Sequence, residues 1–290
     1  MTPAQKIRSG QDRLAVQANA LAIPGAQRIT PDSLRQNQAS CPVVQGVFGH
    51  HRQFAGIQEA RSYIQAYAKS DGEIPSDLLW HLTASEQAYL SDYPALFHLD
   101  AHREAIRTVF DLGGNAGAMF YRYDEHLHWP ADFAWTICDS PKNLEYAARH
   151  AKKRREERLL FTTMPETMDG CDLLLVSGAL QYYQDPVGMV AAIPNRPRFI
   201  LVNRSPLTAL GTYAVIQDVG HWLAACIVHN RARLYQGLQA LGYTLRDEWP
   251  APEFEIQVPG SPAFSVPEYS GFFMERRDME RLDPPEALPE

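Results

Sequence analysis

The sequence contains no apolar stretch approaching the length of a membrane span, and its start, MTPAQKIRSGQDRLAVQANALAIPGAQ, lacks the continuous apolar segment of a signal peptide. Neither a span nor a secretory leader is expected, and the chain reads as cytoplasmic. Cysteine is scarce. Cys41, Cys138, Cys171 and Cys226 are scattered, without the paired spacing that a zinc site or a redox dithiol needs. They read as buried thiols in a reducing compartment, and no metal is expected. An excess of basic charge is missing as well. The formal net charge of -7 gives no footprint for holding a phosphate backbone, so nucleic acid is not an expected partner. The one basic run, AKKRREER at residues 151–158, mixes both signs and reads as a solvated helix face.

What is present is an ordinary globular composition: 290 residues, 45% hydrophobic and 21% charged, enough for one large domain or a domain with an appendage. Residues 1–102 carry mostly helical signals. IQEARSYIQAYAKS places Ile57, Ala60, Ile64 and Tyr67 on one face, and PSDLLWHLTASEQAYL does the same with Leu78, Leu79, Leu82 and Tyr89. Neither stripe can be buried alone, so these residues are expected to form a mainly helical N-terminal layer packed on the C-terminal two thirds of the chain. Between the N-terminus and these helices, CPVVQGVFGHHRQF reads as an irregular connector. Its His50 and His51 have no carboxylate or cysteine partner at ligand spacing.

From residue 103 to about 278 the texture changes to short apolar runs: RTVFDL, FAWTICD, RLLFTT, CDLLLVSG, RFILVNR, YTLRDEW and YSGFFMERR. Helical stretches such as SPKNLEYAARHAKKRR and NRARLYQGLQALG separate most of them. Strands alternating with helices predict an α/β fold, a doubly wound and mostly parallel sheet with helices on both faces. The last two runs follow a Pro-rich loop and fit an antiparallel pair at the sheet edge. Residues 279–290, Pro- and Glu-rich, read as a disordered tail.

In such a sheet, ligands bind beyond the carboxyl ends of the strands. VFDLGGNAG lies there: Val109 and Phe110 finish a strand, and Asp111, Gly113, Gly114, Asn115 and Gly117 form the turn into a helix. Glycines let the backbone approach a ligand, and the helix start offers free N–H groups. A second strand ends at Asp139, placed to accept hydrogen bonds from ribose hydroxyls. The dinucleotide fingerprint G-x-G-x-x-G is not met, because the frame ending at Gly114 and Gly117 begins with Leu112. The frame D-x-G-x-x-x-G is met instead. An acid at the strand end repels a pyrophosphate but suits the ammonium of an amino-acid moiety, which favours S-adenosylmethionine over a nicotinamide dinucleotide.

With that turn, the acid ending the second strand, and DLLLVSGALQYYQDP at the fourth, the chain resembles class I S-adenosylmethionine-dependent methyltransferases, which have a Rossmann-like fold. More narrowly, FDLGGNAG, SGALQYYQDP, ILVNRSPLT, VIQDVG and LGYTLRDEW are similar to a family of bacterial proteins assigned as methyltransferases and often associated with surface-glycan or secondary-metabolite pathways, over residues 47–276. The resemblance implies that Gly113, Gly114, Asn115 and Gly117 hold the methionine half, with Asp111 near its amino group. Asp139 and Ser140 would take the ribose, Thr162 and Thr163 would flank the adenine, and Ser177 and Gly178 would lie beneath the sulfonium. Residues 180–183, Tyr183 among them, would line the methyl-transfer side. Two departures stand out: Asn115 replaces the commonest central glycine, and the acid often found near the adenine is absent at Thr162 and Thr163.

Methyl transfer requires alignment of nucleophile, methyl carbon and sulfur, exclusion of water and, for some acceptors, removal of a proton. Base candidates from segments after the fourth and fifth strands are His221, Tyr182 and His229. Asn203, Arg204 and Gln217 are candidates to orient a polar or anionic acceptor. Each has a plainer role available: His221 as a hydrogen-bonded core residue beside Trp222, Tyr182 and Tyr183 as packing aromatics, Arg204 as an ion-pair partner. The expected activity is methyl transfer to an oxygen or nitrogen of a small molecule, sugar or carrier-bound biosynthetic intermediate, with the helical layer closing over the acceptor and S-adenosylhomocysteine as product. A non-catalytic cofactor-binding scaffold and a nicotinamide-dependent oxidoreductase are the alternatives, and a homodimer stays open.

Overall fold

The computed structural model describes residues 49–67, 88–218, 223–258 and 261–276. Among them, the chain runs through β1 (Gly49–Phe54), α1 (Ile57–Tyr67), α2 (Asp92–His102), β2 (Thr108–Leu112), α3 (Ala118–Asp124), β3 (Ala134–Cys138), α4 (Pro141–Arg154), β4 (Leu159–Thr162) and β5 (Leu173–Ser177). It continues through α5 (Pro186–Ala191), β6 (Phe199–Ser205), β7 (Leu207–Thr208), β8 (Tyr213–Asp218), β9 (Leu223–Asn230), α6 (Arg231–Ala240), β10 (Tyr243–Ala251) and β11 (Tyr269–Arg276).

The seven apolar runs form one sheet in the order β10-β11-β6-β5-β2-β3-β4. Parallel strands buried on both faces read as continuous apolar runs, and β5 shows why. Its Leu173 and Leu175 point to the layer of α2, α3 and α4, while Leu174 and Val176 point to the layer of α5 and α6. In α4, Leu144, Ala147 and Ala151 form the buried stripe, and the basic end of the helix faces solvent at Lys152, Lys153 and Arg154. Asn230 caps α6 by accepting from the Arg233 N–H at 2.8 Å, and Asp185 caps α5 at Gly188.

The expected antiparallel pair is present at the edge, with one difference. β11 runs against both β10 and β6, so β10, the edge strand, is parallel to the rest and the reversed strand sits one position in. Strand order reverses between β2 and β5, which both start from the centre of the sheet, and this is the switch point where doubly wound sheets bind ligands.

A second sheet, β1-β8-β9-β7, departs from the expectation of a single one. Residues 49–54, which read as part of an irregular connector, pair with β8, and a bulge between His51 and Gln53 breaks the period-two pattern that would have marked a strand. In β8 and β9 both faces are covered. Ala214, Ile216 and Ile227 pack on Ile57 and Ala60 of α1, and Tyr213, Val215, Cys226 and Val228 pack on Ile256, Val258 and Val266 of the Pro-rich segment. That leaves no alternation to read. The helix expected in IQEARSYIQAYAKS is found as α1, with Ile57 and Ala60 buried against this sheet and Ile64 partly buried. The stripe of Leu78, Leu79 and Leu82 and the tail from 277 lie outside the described residues. Among the described residues before 103, α2 packs on the main sheet through Leu99, while β1 and α1 contribute to the small one. No helix among the described residues is long and apolar enough to cross a membrane.

Candidate functional site

The turn leaving β2 has the expected backbone. Gly113, Asn115 and Gly117 have φ of 75°, 52° and 83°, a left-handed region that asparagine tolerates better than most side chains. Gly114 is needed for another reason: a Cβ there would lie 2.6 Å from the Asp111 carboxylate, so the backbone rests directly on the acid. At Gly113 a Cβ would collide with Ala179, which packs the segment after β5 against the turn.

Asp111 is fully buried and accepts a hydrogen bond from Trp135 Nε1 at 3.1 Å. Burial raises its carboxyl to about 7, and the nearby charge of Asp139 adds to the rise while the Trp135 bond opposes it. Among the described residues, this buried acid at a strand end has no cationic partner. On the same face of the sheet Ser177 Oγ is buried without a hydrogen-bond partner, and in the turn so is Asn115 Oδ1. These underused polar atoms fit an amino-acid ligand that brings its own donors and acceptors.

Asp139 is placed to tie the turn to α4. Its Oδ2 accepts from Asn115 N at 2.8 Å, and its Oδ1 accepts from Ser140 N at 2.6 Å and Asn143 Nδ2 at 2.7 Å. A carboxylate has about four acceptor sites, so room remains for a ribose hydroxyl. Ser140 is exposed at the helix start. Thr162 Oγ1 accepts from Met164 N at 3.1 Å, which closes the turn after β4, and Thr163 is exposed beside it. Gly178 has φ of 69° and donates its N–H to the Asn203 carbonyl at 2.8 Å, beside Ser177. Asp111, Gly113, Gly114, Asn115, Gly117, Asp139, Ser140, Thr162, Thr163, Ser177 and Gly178 therefore line the ends of the four strands β2 to β5. Trp135 and Asn143 join them without having been expected; Asn143, four residues after Asp139 at the opening of a helix, carried a readable signal.

The acceptor-side candidates separate. Tyr182 donates to Gln217 Oε1 at 2.8 Å, and Cys226 Sγ lies 3.3 Å from the same oxygen, which joins the turn after β5 to the small sheet. Burial holds the Tyr182 phenol well above 10 and pushes the Cys226 thiol up to about 12, so both stay protonated near neutrality. His229, a base candidate, is buried in β9 with Nε2 3.4 Å from the Leu180 carbonyl, and burial lowers its pKa. It is neutral near pH 7 and braces the turn. Tyr183 is half-buried on the core, its phenol raised by burial and then by the charges of Cys138, Asp139 and Asp111. His221 lies outside the described residues.

Asn203 and Arg204 are both engaged in hydrogen bonds within the fold. Asn203 is fully buried, accepting from Trp249 Nε1 at 3.0 Å and Arg204 N at 3.1 Å and donating to the Ser91 carbonyl at 3.1 Å. Arg204 donates from Nε to Ser91 Oγ at 3.1 Å and from Nη2 to Asp92 Oδ1. Asp92 also receives Arg122 Nη1 at 2.8 Å and the Tyr123 hydroxyl at 2.9 Å. This knot joins α2, α3 and β6. Among the described residues, no group of three or more His, Cys, Asp or Glu is placed to hold a metal ion.

No protein-family model and no curated protein sequence matches the chain. Among solved structures, it is similar to the 1,6-didemethyltoxoflavin-N1-methyltransferase of Burkholderia thailandensis with bound 1,6-didemethyltoxoflavin and S-adenosylhomocysteine. Identity is 19%, over 70% of this chain and 87% of that one, with a TM-score of 0.44. It is similar also to the magnesium protoporphyrin IX methyltransferase of Synechocystis PCC 6803 with bound S-adenosylhomocysteine, at 14% identity over 76% and 95% and a TM-score of 0.47. A third is the glycopeptide N-methyltransferase MtfA, at 9% identity over 68% and 99% and a TM-score of 0.45. Strand order, the single reversed strand and the glycine turn at the switch point give this chain a methyltransferase-like, Rossmann-like doubly wound α/β fold.

Proposed function

We propose that the chain is a cytoplasmic S-adenosylmethionine-dependent methyltransferase acting on an oxygen or nitrogen of a small molecule, sugar or carrier-bound biosynthetic intermediate. The observation that carries this function is Asp111, a buried carboxylate with Trp135 as its donor, lying under the glycine turn at the switch point of the sheet. A pyrophosphate would be repelled there, whereas the ammonium of an amino-acid moiety is the missing partner.

When bound, the cofactor supplies a methyl carbon already activated on a sulfonium. The chain's own residues bind and orient. Asp111 takes the ammonium, the turn at Gly113, Gly114, Asn115 and Gly117 lies along the methionine half, Asp139 takes the ribose and Thr162 and Thr163 flank the adenine. Gly178 lies beneath the sulfur end, and Ser177 before it faces the methionine half. The small sheet stands against the turn after β5, and its Gln217 together with Tyr182 offers a neutral, hydrogen-bonding wall to the acceptor. Water is kept from the Asp111 side by Trp135 and by Ala179 packed on Gly113.

Calorimetric titration of S-adenosylhomocysteine tests the assignment, with Asp139→Ala and a nicotinamide dinucleotide as controls. Binding that weakens in the variant, without dinucleotide binding, is expected. A folded wild-type protein that fails to bind S-adenosylhomocysteine refutes it.

A further inference from the structure

Arg204 has a use that its ion pair does not exhaust. Its guanidinium is buried against the rings of Tyr89 and Phe254, with centroids 4.7 Å and 5.9 Å away, so the charge is shielded from water. Asp92 accepts from both Arg204 and Arg122. The third nitrogen, Nη1, meets the Met119 sulfur, at 3.6 Å. A thioether is a weak acceptor, poor company for a buried guanidinium. Met119 lies in the first turn of α3, two residues beyond Gly117, so Nη1 contacts the helix that the glycine turn leads into.

Two other underused groups share that place. Asp111 on β2 pairs in register with Leu175 on β5, and Ser177 lies two residues later on the same face, opposite Asn203 of β6. Arg204 is the next residue after Asn203. A carboxylate with Trp135 as its donor, a buried hydroxyl with no partner among the described residues and a guanidinium nitrogen facing sulfur thus lie across three adjacent strands at one end of the sheet. Their charges are ordered: negative at β2, positive at β6. A zwitterion placed with its ammonium on Asp111 and its carboxylate toward Ser177 and Arg204 completes all three.

We propose that Arg204, with Ser177, is the binding site for the α-carboxylate of the cofactor, so that Asp111 and Arg204 together select a ligand carrying an intact amino-acid end. The proposal rests on the methyltransferase function above and moves Arg204 from the acceptor to the cofactor. It also gives the Asp92 knot a function, since Asp92 and Ser91 engage Nη2 and Nε and leave Nη1 on the Met119 sulfur.

The test compares ligands on the same wild-type protein by calorimetry: S-adenosylhomocysteine, its decarboxylated analogue, and 5′-methylthioadenosine, which lacks both charged groups. Loss of a charge-assisted bond at a buried site corresponds to roughly tenfold to hundredfold weaker binding, and that is expected for the decarboxylated analogue. In Arg204→Met, S-adenosylhomocysteine is expected to fall to the level of the decarboxylated analogue, whose own affinity stays at the wild-type value. Ser177→Ala, which leaves the knot intact, is expected to reduce only the affinity for the carboxylate-bearing ligand, by a few-fold. Should Arg204→Met fail to fold, the wild-type comparison and Ser177→Ala decide. Equal wild-type affinity for the two ligands overturns the proposal. So does a variant that keeps the wild-type preference, since the carboxylate would then belong to the backbone of the turn. Equal weakening of both ligands would mark Arg204 as structural only and overturn it too. Absence of any S-adenosylhomocysteine binding would instead remove the cofactor assignment itself.

Discussion

Replacing Asp111 by asparagine removes a pH dependence that burial of the carboxyl imposes on the wild type. A carboxyl ordinarily ionising at 3.8 is raised to about 7 in the folded chain, chiefly by desolvation. The unfolded chain therefore releases this proton first, and between these two values folding must take it up. Below 3.8 the group is protonated in both states and contributes nothing. As pH rises toward 7 it costs progressively more, and above 7 the full penalty is on the order of 4 kcal/mol. Between about pH 5.5 and 8 the wild type should lose about 2 kcal/mol from this one group. The Asp111→Asn side chain would keep the acceptor for Trp135 and lose the titration. Its added N–H groups lower stability by a constant amount at all pH values, so the informative quantity is the change in the difference between the two proteins. Urea unfolding at a series of pH values should show the variant gaining about 2 kcal/mol on the wild type from about pH 5.5 to 8. Saturating S-adenosylhomocysteine should flatten the wild-type profile, because the ammonium supplies the missing partner. Ligand affinity should fall as pH drops below about 7, where Asp111 becomes protonated. Parallel unfolding profiles for the two proteins without ligand would refute the claim that this carboxyl is desolvated.

Gly113→Ala places a Cβ against Ala179 at a φ of 75°, and a cost of about 1 to 3 kcal/mol in thermal unfolding is expected, together with loss of S-adenosylhomocysteine binding. Asp139→Ala leaves Asn115 N, Ser140 N and Asn143 Nδ2 without their acceptor, and unfolding at neutral pH should report a loss of roughly 1 to 3 kcal/mol alongside the weakened binding. His229 is held neutral by burial, so its folded pKa lies below the ordinary value and its contribution to stability is lost as pH falls through that value. Histidine NMR should show the His229 imidazole titrating below 6.5, and His229→Gln should remove part of the acid sensitivity; an ordinary titration for that ring would contradict its placement against Leu180.

What could be read along the chain was local. LLLVS and FILV announce strands because a parallel strand covered on both sides needs no polar positions, and FDLGGNAG announces a ligand turn because an acid followed by left-handed glycines has few other uses. The small sheet was not legible. β1 is interrupted by a bulge, and β8 and β9 are covered by partners, α1 and the Pro-rich segment, that arrive from opposite ends of the chain. Arg204 shows the same limit in a single residue. By type it suits an anionic ligand, and by position after β5 and its turn it suits an acceptor. The residues that orient it, Ser91 and Asp92, lie more than a hundred positions earlier, where nothing local marks them as its partners. Because those partners approach from α2, they hold the guanidinium against Met119 of α3, the helix that follows the glycine turn. The identity of the residue thus determines which charge it can bind, and the distant contacts determine which ligand brings that charge.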